Sequence, residues 1–300
     1  MNPLRRALAL ANMAAMGIEH ADLPGTLRRW NRTQRALRTI AVARSFDRFD
    51  FEMPPLKVES SQYLYMSAHF GLYAHTLATV ALQSSHRRLA VLIGEQAGQQ
   101  EQLLQAIAHR YGCELSFIRG GFSLIKGARK AANEGTPLFM LIDVPWGVSD
   151  PTDGQSSLLH GTLRTRSAYF KLCNLLGLRP YLMLARSSSD FSRHWVDLIG
   201  EIGADEAVGR ICTAIEDQPY LWDRWFDCQK FTVPGREVKG AIPFRAGRTP
   251  YALSLPEYRA FSLSERLYVR LRGELRGDGM PMDRFGGRSS AVAQSLQAAN

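Results

Sequence analysis

The chain reads as an α/β protein: a mostly parallel central sheet flanked by helices, with helices at the N-terminus and a partly disordered C-terminal tail. Three observations predict this. Short apolar runs alternate with helix-periodic stretches between Tyr63 and Ala185, and strands alternating with helices imply right-handed crossovers and parallel pairing. The 300 residues are 45% hydrophobic and 22% charged, which suits one large core or a domain plus an appendage and excludes fibrous and wholly disordered chains. The last stretch, from Gly277 to Asn300, is rich in Gly, Ser, Ala and Gln and lacks the apolar periodicity that would pack it.

Taken in order, the apolar stretch from Ala7 to Ile18 follows Arg5 and Arg6 but is shorter than the roughly 20 residues a spanning helix needs. It also lacks a signal-peptidase site, so neither a membrane span nor export is expected. From Thr26 to Phe46 a helix is predicted, with Leu27, Trp30, Leu37, Ile40 and Ala41 on one side and Arg28, Arg32, Arg35 and Arg38 on the other. This basic amphipathic helix reads as a surface helix with a solvated face in preference to one lying in a membrane interface.

After the Pro54-Pro55 break come strands at Tyr63–Ser67, Leu89–Ile93, Leu115–Ile118, Leu138–Asp143 and Pro180–Ala185. Helices fall between them, at Tyr73–Leu82, Gln99–Tyr111, Ser123–Asn133 and Leu163–Leu176. Beyond Lys230 the chain changes character, with scattered Pro, Gly and Arg and one helix around Leu263–Leu275. The expected organisation is an N-terminal helical region over 1–55, an α/β domain over 56–230 and an extension over 231–300 that is mobile after about 277. No internal repeat is visible.

Cys113, Cys173, Cys212 and Cys228 lie far apart, with no C-x-x-C pair and no His at zinc spacing, so neither a metal knuckle nor a redox pair is suggested. A reducing, cytoplasmic-facing compartment fits that usage. The net charge of +9 favours an anionic partner: nucleic acid, an acidic protein or a phospholipid headgroup layer. With no finger, no RNA-recognition motif and no Gly-rich phosphate loop, nucleic acid ranks last.

The segment Ser67-Ala68-His69-Phe70-Gly71-Leu72-Tyr73-Ala74-His75 places a histidine where a strand gives way to a helix, beside a glycine. Ligand sites in parallel sheets lie at the carboxyl ends of strands, which is where His69 and Asp143 both fall. A histidine there can take a proton from an acceptor hydroxyl, because its ordinary pKa lies near working pH, and Gly71 would leave room for the substrate. Taken alone, the same three residues also describe a capping or buried histidine.

Order along the chain adds more. After His69-Phe70-Gly71 come Gly127 to Gly135, the strand ending Leu141-Ile142-Asp143, and Val144-Pro145-Trp146-Gly147. Leu158-Leu159-His160-Gly161-Thr162 follows, and the succession closes on Asp217-Gln218-Pro219-Tyr220-Leu221-Trp222-Asp223-Arg224-Trp225-Phe226. This succession, over residues 60 to 230, resembles the lipid A late acyltransferases of the glycerolipid acyltransferase superfamily. The resemblance implies a glycerolipid-acyltransferase-like fold, His69 as the catalytic base, and Gly71, Arg119, Lys126, Asp143 and Trp146 as substrate-binding residues. Trp146 would line the acyl channel, although a loop or core aromatic reads equally there, and a cap on the following loop is an equal reading of Asp143. Arg224 reads as structural, in a terminal helix docked on the sheet.

Two departures stand out. Family members carry Glu or Asp five residues after the histidine, to hold the imidazole in the right tautomer; here that residue is Ala74. Losing the orienting acid of a comparable triad costs about 10⁴ in turnover. His75 projects about 100° away from position 74 on a helix and does not substitute. Asp47, Asp50, Glu52, Glu59 and Asp143 are the carboxylates that folding would have to bring to His69. The second departure is at the family's phosphate-holding arginine, where Phe122 stands, with Arg119 and Lys126 as the nearest cations.

The expected function is transfer of a fatty acyl group from a thioester donor, acyl carrier protein or acyl-CoA, to a hydroxyl of a lipid A-like or other lipid acceptor. No metal or redox cofactor is needed. The same basic charge would hold the chain on anionic lipid, peripherally at the cytoplasmic face of a bacterial inner membrane. The other expectation, from the missing acid at position 74, is a catalytically impaired relative that binds lipid or acyl carrier as a scaffold.

Overall fold

The computed structural model describes residues 2–19, 21–42, 50–56, 62–94, 98–120, 123–144, 154–166, 168–235, 241–254 and 257–277. In chain order these form α1 (Pro3–Ala15), α2 (Leu23–Val42), β1 (Asp50–Glu52), β2 (Tyr63–Ser67), α3 (Ala74–Gln83), β3 (Arg88–Ile93), α4 (Gly98–Arg110) and β4 (Glu114–Arg119). There follow α5 (Ser123–Asn133), β5 (Leu138–Leu141), β6 (Gly154–Leu158), β7 (Gly161–Thr165), α6 (Ala168–Leu176), β8 (Arg179–Ser187), β9 (Arg193–Glu201) and α7 (Ala204–Asp217). Three short 3-10 turns between Pro219 and Lys230 lead to β10 (Thr232–Val233), β11 (Ala241–Ala246), β12 (Thr249–Ser254), β13 (Arg259–Ser262) and α8 (Glu265–Gly277).

The larger of two compact units comprises residues 32–157 and 163–223, and holds a seven-stranded sheet in the order β1-β9-β8-β2-β5-β3-β4. Neighbours pair parallel everywhere except β8 with β9. The α/β class and the mostly parallel sheet follow the sequence expectation. Strands covered on both faces read as unbroken apolar runs. Accordingly, all five residues of β2 and all four of β5 are buried at the centre of the sheet. Helix α2 begins three residues before the expected Thr26 and keeps the expected division, with Leu27, Trp30 and Leu37 buried and Arg28, Arg32, Arg35 and Arg38 exposed.

One element differs from expectation. The helix predicted over Leu163–Leu176 begins only at Ala168, because Gly161–Thr165 is a strand. Its residues alternate, with Leu163 and Thr165 buried and Arg164 exposed, which is the two-residue period of a sheet. The reversal before it rests on Leu159, held at φ +54°.

The smaller unit takes the described residues of 1–31, 158–162 and 224–277. Its sheet, β11-β12-β13, is antiparallel, with Gly247 at φ +62° in the turn between β11 and β12. The two faces separate by alternation: Ile242 and Leu253 pack on Ala7 and Ala11 of α1, while Ala241 and Ala252 pack on Leu263 and on Tyr268 and Leu271 of α8. Asn12 of α1 fastens the turns by donating from Nδ2 to Trp225 O and to Gln229 Oε1, each at 2.7 Å. Arg224 pairs with Asp227 and stacks on Phe226, in a 3-10 turn where a helix was expected. Among the described residues, no helix is long and apolar enough to cross a membrane. The tail from 278 to 300, expected to be mobile, lies outside the described residues.

Candidate active site

Strands β2 and β5 lie side by side, parallel, with Ser67 opposite Leu141. Ile142 N continues the ladder by donating to Ser67 O at 2.9 Å. Two residues past that register pair, on each strand, stand His69 and Asp143. Pairing alone therefore brings together two residues 74 positions apart, and their side chains meet with Nδ1 of His69 2.8 Å from Oδ1 of Asp143. Of the five carboxylates considered for this role, Asp47 and Glu59 lie outside the described residues, as does the side chain of Asp50, and Glu52 faces Arg193 on the surface.

Trp222 completes the arrangement. Its indole N–H donates to Oδ2 of Asp143 at 2.8 Å, so each carboxylate oxygen meets a side-chain donor. The backbone around Trp222 is bound to the His69 segment: Asp223 N donates to His69 O, Gly71 N donates to Leu221 O, both at 2.8 Å, and Phe70 bridges Trp222 in antiparallel fashion. Asp143 and Trp222 are almost fully buried, and His69 is 6% exposed.

Burial acts to raise the Asp143 pKa, but the charge of His69, the hydrogen bonds from its ring and backbone, and the bond from Trp222 outweigh it. The carboxyl therefore sits below its ordinary value and is ionised at neutral pH. An ionised carboxylate only accepts hydrogen bonds, so Nδ1 carries a proton and, in the neutral ring, Nε2 keeps the lone pair. That is the tautomer a general base needs, and the Asp143 charge stabilises the imidazolium formed when the base takes a proton. On the far side, the Gln100 amide Nε2, in the first turn of α4, stands 3.0 Å from His69 Nε2. The Tyr73 ring meets the imidazole edge-on, 5.2 Å between centroids.

The remaining sequence candidates fall elsewhere. Gly71 has φ +59°, and a Cβ built on it would lie 2.6 Å from Ala185 O, so its missing side chain makes room for β8. Gly71→Ala forces a left-handed conformation and a backbone clash together; it should destabilise the protein by about 2 kcal/mol or more in urea unfolding. Arg119 ends the edge strand β4 and pairs with Glu101 at 2.5 Å. Lys126 is exposed on α5. Neither is bonded to the His69–Asp143 dyad. Trp146 and Phe122 lie outside the described residues.

Ala74 opens α3 and is fully buried. His75 is a core residue: its ring hydrogen-bonds Leu72 O at 3.0 Å, Phe51 stacks on it, and burial pushes its pKa down to about 3. It remains neutral and stays out of the dyad.

Trp222→Phe keeps an aromatic ring but leaves Oδ2 of a buried carboxylate without this donor. An unsatisfied buried acceptor costs about 1–3 kcal/mol, read as a lower urea midpoint with an unchanged slope.

In the sequence Asp143 reads as a substrate-binding residue, as a cap on the following loop and as one of five carboxylates that folding could bring to His69, whereas Gln100 is not singled out. The available signal for Asp143 was its strand: an acid at the carboxyl end of a run pairing directly with β2 is a better partner for His69 than any carboxylate in a preceding loop. No protein-family model matches the chain, and no curated protein matches it.

Proposed function

We propose that the chain is a diverged acyltransferase of the lipid A late acyltransferase type, in which Asp143 performs the orienting role of the acid absent from position 74. The observation that carries this reading is the 2.8 Å contact from His69 Nδ1 to Asp143 Oδ1, with Trp222 fixing the other oxygen. It supplies the one component whose absence from the His69 motif argued for an inactive relative.

In the proposed reaction, the acceptor hydroxyl attacks the thioester carbonyl of acyl carrier protein or acyl-CoA while His69 Nε2 takes its proton. The new C–O bond makes a tetrahedral oxyanion. Its collapse breaks the C–S bond, and the departing thiolate takes the proton from the imidazolium, which restores the neutral ring. The first turn of α4 lies beside the ring, and helix N-termini present N–H groups without intrahelical acceptors, suited to a developing oxyanion. The step calls for no metal or redox cofactor. The basic charge suits an acidic carrier protein and an anionic membrane surface, and with them a peripheral position at the cytoplasmic face of a bacterial inner membrane.

A second reading, a binding or scaffolding relative without turnover, is favoured by one observation. His69 is only 6% exposed and its Nε2 already has a partner. The two readings separate in one assay: transfer of labelled acyl groups from acyl carrier protein to a panel of hydroxylated lipids. Product above the protein-free rate supports the enzyme; retention of the acyl donor without product supports the scaffold.

A further inference from the structure

In the neutral ring, with Nδ1–H committed to Asp143, Nε2 holds the in-plane lone pair, and a lone pair faces a donor. The group at 3.0 Å from it is the Gln100 amide nitrogen, whose N–H therefore donates to it. A hydroxyl that gives up its proton to this atom must bring its oxygen within about 2.6–3.2 Å of it, along the direction of the same lone pair. Gln100 fills that position. One lone pair in the ring plane accepts one good hydrogen bond, so acceptor and Gln100 exclude each other. Gln100 is only partly buried, on a long side chain in the first turn of a helix, and can withdraw without unfolding its element.

We propose that Gln100 is a stand-in for the acceptor hydroxyl and sets the site's selectivity against water. The proposal rests on the acyltransferase reading above. A water molecule admitted to Nε2 while an acyl donor is bound would be deprotonated in the same way, attack the thioester and release a free fatty acid and a thiol. The carboxamide occupies the same spot, satisfies the lone pair and does not attack the thioester, because its nitrogen lone pair is delocalised into its own carbonyl. An acceptor lipid displaces it with binding energy from the rest of its surface; water has none to offer. Gln100 thus acts through His69 as a positioning residue, shielding the base until the proper hydroxyl arrives.

The test is carbethoxylation of the full chain by diethyl pyrocarbonate, which attacks the unprotonated imidazole nitrogen, with labelling quantified by mass spectrometry at each histidine. No acyl donor or acceptor is present. Gln100→Ala should speed labelling at His69 about fivefold, the factor expected for losing one hydrogen bond. The exposed His86 and His109 serve as internal references whose rates stay constant. Gln100→Asn, one methylene shorter, should give the same increase and serves if the alanine variant fails to fold. A His69 rate equal to wild type in both variants overturns the stand-in. Because labelling involves no thioester, that failure is separate from failure of the acyl-transfer assay: faster labelling without any acyl transfer supports the plug and counts against the enzyme alone.

Discussion

Asp143→Asn should lower acyl transfer about 10⁴-fold in a protein that still folds. The magnitude follows from the same amide exchange in a serine-protease triad, which keeps the geometry and loses the tautomer. Here the tautomer is forced by a third residue. Asparagine has one acceptor oxygen and one NH₂ group, whereas the carboxylate of Asp143 offers two acceptors, one to His69 and one to Trp222. An indole N–H only donates, so the single oxygen of the substituted carboxamide must turn to Trp222 and its NH₂ must face Nδ1. The imidazole proton then moves to Nε2, and the ring has no lone pair for a hydroxyl. The substitution is nearly isosteric, and the two side-chain hydrogen bonds survive with one reversed. Thermal unfolding should therefore shift little, and circular dichroism beside the acyl-transfer rate separates loss of catalysis from loss of fold.

His69→Ala should lower transfer by at least about 10³-fold. General-base assistance contributes about 10²–10⁴, and the proton path for the departing thiol goes with it. This variant differs from Asp143→Asn in stability. It strips the imidazole from a carboxylate that is 1% exposed, leaving Oδ1 in a dry site. The cost of an unsatisfied buried acceptor, about 1–3 kcal/mol, should appear in urea unfolding. An active His69→Ala protein would remove the imidazole from the mechanism altogether.

The central strands were legible because burial on both faces leaves unbroken apolar runs. Tyr63–Ser67 matches β2 residue for residue, and Leu138–Asp143 contains β5 with two further residues. His69 was legible as the residue emerging from the first of these. Its partnership with Asp143 was legible only as one of five options, since the choice among them arises from the pairing of β2 with β5, a long-range choice that local pattern does not encode. Trp222 stood in the closing segment beside Arg224, the residue that drew a role there; the arginine is bound to Asp227 and the tryptophan reaches the dyad. Gln100 carries no signal at all, being one of several glutamines spread along the polar part of α4.

Elements outside the parallel core were harder to read for a different reason. Strand β9 (Arg193–Glu201) and the β11–β13 sheet mix Arg, Pro and Gly with apolar residues, which reads as loop composition. In β11 and β12 the pattern was nevertheless present, as alternation on either side of Ala246-Gly247-Arg248, a glycine-centred reversal. The helix expected at Leu163 failed on the same ground: Thr162-Leu163-Arg164-Thr165 alternates with period two and was absorbed into the apolar run that follows.

The most direct test of the dyad is a double-mutant cycle on acyl transfer with His69→Ala, Asp143→Asn and the two combined. If Asp143 works only by orienting and charge-stabilising the His69 ring, then once the ring is gone the second change has nothing left to impair, and the combined variant should be no slower than His69→Ala alone. Losses that multiply, or an Asp143→Asn protein as fast as wild type beside an inactive His69→Ala, would contradict it.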